Sequence, residues 1–132
     1  MKEVRKIGLL LIMAILMAGG LLLALQNADP FVGDWKGMIS VPEAEIDIVC
    51  HFVMDAEGNL TGTMDSPSQG AFDLMLMDVE VKGGTISFGI DDPNVPGDPR
   101  FSGTLDEARA SISGDFSQGG ASGTFELTKE TS

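Results

Sequence analysis

From residue 33 onward, apolar and polar side chains alternate along the chain. In the clearest run one parity is apolar throughout: Ile46, Ile48, Cys50, Phe52 and Met54. Successive side chains of an extended strand point to opposite faces, whereas in a helix a side chain returns to the same face only after about 3–4 residues. The alternation therefore predicts strands, each with one buried and one solvent-facing side.

Turn-forming residues divide this region into eight segments. We predict strands over residues 34–41, 45–54, 60–64, 71–82, 85–90, 101–105, 110–116 and 121–127. Residues 91–99 contain three prolines and are predicted to form a loop. In the fourth segment the apolar residues occupy both parities in turn: first Phe72, Leu74 and Leu76, and then Met75, Met77, Val79 and Val81. This change of phase predicts a β-bulge near Met77.

Short connections, and the absence of an amphipathic helix pattern after residue 30, favour sequential antiparallel pairing. Closing the sheet removes the two exposed edges that it would otherwise keep. We therefore predict an all-β fold, an eight-stranded antiparallel up-and-down barrel of lipocalin-like architecture, with a small β-sandwich as the alternative. Such a barrel is largely filled by its own side chains and holds at most one small ligand.

Packing alone must hold this fold, because a chain with one cysteine cannot form an intrachain disulfide. Cys50 shares the parity of Ile48 and Phe52, so we predict a buried, unreactive thiol. Trp35 is predicted to close one end of the barrel. The composition predicts no cofactor.

The first 28 residues have the composition of a targeting segment. Three basic residues among the first six precede an uncharged run of 19 residues, 7–25. As a helix rising about 1.5 Å per residue, this run is just long enough to cross a hydrocarbon core of about 30 Å. We predict a signal peptide or an uncleaved signal anchor, and favour the anchor because no clear cleavage site follows the run. The basic residues place the body, residues 29–132, outside the cytoplasm, anchored by an N-terminal hydrophobic helix or secreted.

The body is strongly acidic. The formal charge of the chain is −12, and the first 28 residues contribute +2, so residues 29–132 carry −14. Such a surface repels nucleic acid and anionic lipid, so we predict no nucleic-acid partner.

Several stretches of the body carry a resemblance to a known family. They are residues 33–37, Phe52 with the turn 58–60, residues 63–71 and residues 112–120. Together they are similar to the small β domain that precedes the α/β-hydrolase domain in many secreted bacterial hydrolases. The distinctive stretch is Asp65-Ser66-Pro67-Ser68-Gln69-Gly70-Ala71, whereas the opening Gly-x-Trp also resembles lipocalin-like and avidin-like barrels. The catalytic residues of that family lie in the following domain, and this sequence has no Gly-x-Ser-x-Gly elbow. The resemblance therefore implies an accessory or binding module without its enzyme.

Two similar corners, one at residues 65–71 and one at residues 117–120, supply the candidate ligand site. Each follows an aliphatic residue and a glycine with a Ser/Gln/Gly turn. If both corners meet at one rim of the barrel, they form a polar mouth from four residues: Asp65, Ser66, Gln69 and Gln118. Asp65 is also expected to accept hydrogen bonds from backbone amides of its turn.

Two other groups of residues are weaker candidates for a functional site. Asp91, Asp92, Asn94 and Asp98 could supply oxygen ligands to Ca²⁺, although their spacing matches no EF-hand and a solvated acidic loop is the simpler interpretation. Ser66 or Ser68 with His51 and Asp65 could be drawn as a catalytic triad. Because His51 lies on the polar parity of its strand, we predict no catalytic residue and no enzyme.

The sequence therefore predicts a non-catalytic extracytoplasmic barrel that binds a small apolar ligand or docks onto another envelope protein. The alternative is an accessory subunit of a separately encoded secreted serine hydrolase.

Overall fold

The structure, a computed structural model, describes residues 28–131. It contains eight strands: β1 (Gly33–Val41), β2 (Ala44–Met54), β3 (Leu60–Ser66), β4 (Ala71–Lys82), β5 (Thr85–Asp91), β6 (Arg100–Leu105), β7 (Ser111–Gln118) and β8 (Ala121–Lys129). Each pairs antiparallel with the next, and β1 also pairs with β8, so the sheet closes into a barrel. The predicted closed eight-stranded barrel is confirmed, and the alternative sandwich is not formed.

The predicted N-terminal helix, with the whole leader up to residue 27, lies outside the described residues. Within residues 28–131, no helix has the length and apolar character that crossing a membrane requires.

The up-and-down order gives the barrel two distinct ends. At the entry end lie the 3-10 turn Asp29–Phe31 and the connections 55–59, 83–84 and 106–110; at the distal end lie the 3-10 turn Pro67–Gln69, the loop 92–99 and the turn 119–120. Trp35 is fully buried at the entry end, and its indole Nε1 donates a hydrogen bond to the Phe31 carbonyl at 2.8 Å. Trp35 and Phe31 together close this end.

Aromatic rings fill the middle of the barrel: Phe52, Phe88, Phe101, Phe116 and Phe125. Glycines on inward-facing positions make room for them. A Cβ atom on Gly103, for example, would lie 2.7 Å from Cζ of Phe125. Cys50 is buried in the same core, and desolvation raises the pKa of its thiol, which agrees with the predicted inert cysteine.

The sequence prediction is wrong at Phe72, because its shared parity with Leu74 and Leu76 predicts an inward-facing side chain. Leu74 and Leu76 are buried, but Phe72 is 60% exposed. The register between β3 and β4 shifts here, and Asp73 adopts a left-handed φ of 55°. One left-handed residue interrupts the alternation, so the side chain before it turns outward. The second irregularity, predicted near Met77, is confirmed by a register shift between Met77 and Glu80.

Candidate functional site

A cavity of about 290 Å³ lies at the distal end of the barrel. Its wall is mostly apolar and comes from inward-facing positions of several strands: Ile39, Ile48, Met64, Leu74, Ile90 and Phe116. Aliphatic side chains make up most of this wall, and the rings of Phe101 and Phe116 complete it on the side of the aromatic core. An apolar chamber of this kind favours ligands that lose water readily.

Polar groups from both predicted corners border this cavity. Ser66, Gln69 and Gln118 all line it, joined by Asn94 from the loop 92–99. The hydroxyl of Ser66 donates to the Asp47 carbonyl at 2.7 Å, and the Gln118 amide donates to the Pro96 carbonyl at 2.7 Å. The structure therefore brings three of the four predicted mouth residues together.

The loop 92–99 forms one wall of the cavity, a role that sequence reasoning missed. Val95 is half-buried against the core and Pro99 is buried. The Gly119 amide donates to the Gly97 carbonyl at 2.7 Å, beside the bond from Gln118. The sequence signal for this contact was Val95. It is the one aliphatic residue of a polar, proline-rich loop, which indicates that it packs against apolar neighbours.

Asp65, the fourth predicted mouth residue, faces the outside of the barrel instead. Its carboxylate lies 2.9 Å from Nε2 of His51, and Nδ1 of the same ring lies 2.7 Å from the Asp34 carboxylate. The other Asp65 oxygen accepts a hydrogen bond from the Asp73 backbone amide at 2.8 Å. A polar chain thus runs across four strands, from Asp34 on β1 to the left-handed residue of β4.

The imagined Ser-His-Asp triad is not assembled. Ser66 bonds to the Asp47 carbonyl, and the Ser68 hydroxyl donates to the Asp47 carboxylate. His51 is instead held between two aspartates. Neither serine is positioned to pass a proton to the imidazole.

Two of the four predicted calcium ligands, Asp92 and Asp98, have other partners. Asp92 accepts a hydrogen bond from the Asn94 amide, and Asp98 pairs with Arg100 at 3.2 Å. No group of three or more His, Cys, Asp or Glu side chains within residues 28–131 is placed to hold a metal ion. The geometry therefore does not bring these aspartates together as a cation site.

His51 makes the stability of the barrel depend on pH. The carboxylate of Asp34, followed by that of Asp65, raises the pKa of His51 because both favour the imidazolium. A raised pKa in the folded state gives stabilisation that is complete below the unfolded pKa of about 6.5 and is lost as pH rises through the folded pKa. We expect the free energy of unfolding to fall as pH increases above about 6.5.

Urea unfolding at a series of pH values measures this effect, and His51→Gln is the variant that should lack the slope. The pKa of Asp65 is lowered, first by the Asp73 amide and then by His51, so its own contribution is lost only in acid, below about pH 4. The two pH windows do not overlap. Parallel curves for the wild type and His51→Gln above neutral pH would show that the ring contributes nothing through its charge.

No family model matches this chain, and no curated protein or solved structure shows significant similarity to it. The resemblance to the hydrolase-preceding domain therefore stays a prediction from the residues quoted above.

Proposed function

We propose that this protein is a non-catalytic binding module that takes up one small, uncharged, apolar molecule at the distal end of its barrel. The observation that carries the proposal is the distal cavity, with its mostly apolar wall and its rim of Ser66, Gln69 and Gln118.

The cavity limits the size and charge of the ligand. An apolar cavity of about 150 Å³ suffices for benzene, and this one is about 290 Å³. A two-ring aromatic or a short aliphatic chain matches that volume. Among residues 28–131, no Asp, Glu, Lys, Arg or His lines the cavity, and a body charge of −14 opposes entry of an anion. The rim amides and hydroxyl suit a ligand that carries one hydroxyl or carbonyl group.

The targeting segment, residues 1–28, adds the location of the protein to the proposal. We infer that residues 1–28 direct the body out of the cytoplasm and, if uncleaved, anchor it through a hydrophobic helix. Because the chain joins the barrel at the entry end, an anchor at residue 28 leaves the distal cavity at the opposite end. This arrangement supports binding of a ligand from the surrounding medium or from a neighbouring envelope protein.

Binding of 2-naphthol, a neutral two-ring probe with one hydroxyl, tests the proposal. Its fluorescence should change with saturation at one molecule per chain. Ala71→Phe, which places a ring into the cavity wall, should weaken binding at least about tenfold by removing apolar volume. The matched control is Ala121→Phe, an exposed alanine at the same barrel end that does not line the cavity, and it should bind like the wild type.

Naphthalene, which lacks the hydroxyl, separates the roles of wall and rim. Replacing Gln69 by alanine should weaken 2-naphthol about fivefold, the equivalent of one hydrogen bond, and leave naphthalene unaffected. Gln118 is left in place because its amide also holds the loop 92–99, which forms one wall of the cavity. Absence of saturable binding by the wild type, or equal binding by Ala71→Phe, contradicts the proposed function. Unchanged 2-naphthol binding by the Gln69→Ala variant contradicts the role of the rim.

A further inference from the structure

The outer surface of the barrel is divided into two unlike halves. The large apolar side chains that are exposed within residues 28–131 all lie on β1, β2 and β4: Met38, Val53, Phe72 and Met75. The outward positions of β5 to β8 instead carry small hydroxyl residues, among them Ser87, Ser102, Thr104, Ser113, Ser117 and Thr124. Single exposed apolar residues are ordinary on a protein surface, whereas large apolar side chains grouped within a polar rim mark interaction sites.

Phe72 and Met75 are the most exposed members of this set, at 60% and 58%. The backbone holds Phe72 outward through the left-handed residue Asp73, a conformation that is strained for a non-glycine residue. The hydrogen bond from the Asp73 amide to Asp65 fixes this conformation, and His51 fixes Asp65 in turn. Phe72 is therefore presented to solvent by an ordered, strained strand.

The charges around these two side chains are mostly negative. Met75 lies opposite Asp91 in the sheet, and Asp73 follows Phe72 directly. Strands β1 to β4 together carry seven carboxylates and two lysines. A second copy of this chain would bring the same negative charges face to face, which disfavours self-association through this surface. A basic surface is its electrostatic complement.

We propose that the outer face of β4 is a docking surface for another protein, one that offers an apolar cleft rimmed by lysine and arginine, and that Phe72 enters this cleft. Aromatic residues are enriched at protein interfaces, whose buried core is surrounded by a polar rim, and a few buried anchors carry most of the binding energy. This surface lies outside the barrel, and the inference does not depend on the ligand proposed for the cavity.

Site-specific crosslinking tests the docking surface. The full-length chain is expressed in the organism that encodes it, with the photoreactive residue p-benzoylphenylalanine replacing Phe72. In the matched control the same residue replaces Ser113, an exposed position on β7, in the half of the surface that carries small hydroxyl residues. We expect a covalent adduct with one other protein at position 72 and none at position 113. The partner, once identified by mass spectrometry, is then purified and titrated against the purified chain.

In that titration, Phe72→Ser should weaken binding at least about tenfold, and raising the salt concentration should weaken the wild type because the charged rim is screened. The variant should keep the melting temperature and 2-naphthol affinity of the wild type, since Phe72 does not line the cavity. The proposal is overturned by the absence of an adduct, by equal adducts at both positions or by an adduct between two copies of the chain. An affinity that is unchanged by salt, or unchanged by Phe72→Ser, overturns the proposal as well.

Discussion

Gly37→Ala is expected to destabilise the barrel by about 3 kcal/mol or more, and so to leave much of the protein unfolded. Gly37 lies on β1 between its partners Ile48 on β2 and Leu127 on β8. A Cβ atom at this position would lie 1.8 Å from the carbonyl oxygen of Glu126. Because the clash is with backbone, no side-chain rotation relieves it. The β1–β8 pairing that closes the barrel must therefore shift or break.

Urea unfolding, followed by the fluorescence of the single tryptophan, measures this effect. The matched control is Gly84→Ala, in the connection between β4 and β5. No heavy atom of residues 28–131 outside the neighbouring positions of the chain lies within 4 Å of a Cβ built there, and Gly84 has no positive φ. We expect Gly84→Ala to change stability by no more than about 0.5 kcal/mol. Equal stability of the two variants would mean that the β1–β8 seam tolerates a methyl group, contrary to the geometry.

The strands were predictable because the buried and exposed positions follow one simple period. The inward residues of β2, such as Ile48 and Phe52, share one parity over the whole strand, so any extended conformation buries them together. The exception is Phe72, whose direction depends on one left-handed residue. That residue is Asp73 rather than a glycine, and the hydrogen bond that holds it comes from Asp65 on another strand. A long-range contact of this kind leaves no local pattern in the sequence.

The candidate site was predictable to a similar extent. In an up-and-down barrel the turns after β3 and β7 must lie at the same end, so Gln69 and Gln118 meet there. Parity also explains why the Asp65 side chain faces outward. Its neighbour Met64 faces inward, so Asp65 must point to the opposite face, toward His51. The loop 92–99 could not be placed in this way. Its position depends on bonds to Gln118 and Gly119, which are distant along the chain.

Phe88→Ala is expected to cost about 3–5 kcal/mol of unfolding free energy, close to the effect of Gly37→Ala but through the opposite mechanism, a cavity instead of a clash. The Phe88 ring is 2% exposed and contacts three other rings: Phe52 at 5.6 Å, Phe101 at 4.8 Å and Phe125 at 6.3 Å between centroids. In a barrel of eight strands these rings are the bulk of the core, and the closed backbone cannot collapse around a missing one.

Phe72→Ala is the matched control for Phe88→Ala, because it removes the same atoms from a ring that is 60% exposed. We expect it to change the free energy of unfolding by no more than about 0.5 kcal/mol. The difference between the two variants therefore measures what interior packing contributes per phenylalanine in this barrel. Comparable losses in urea unfolding would mean that Phe72 is buried in solution, and would contradict both the left-handed bulge at Asp73 and the docking surface built on it. A small loss for both would instead mean that the barrel repacks around a missing ring.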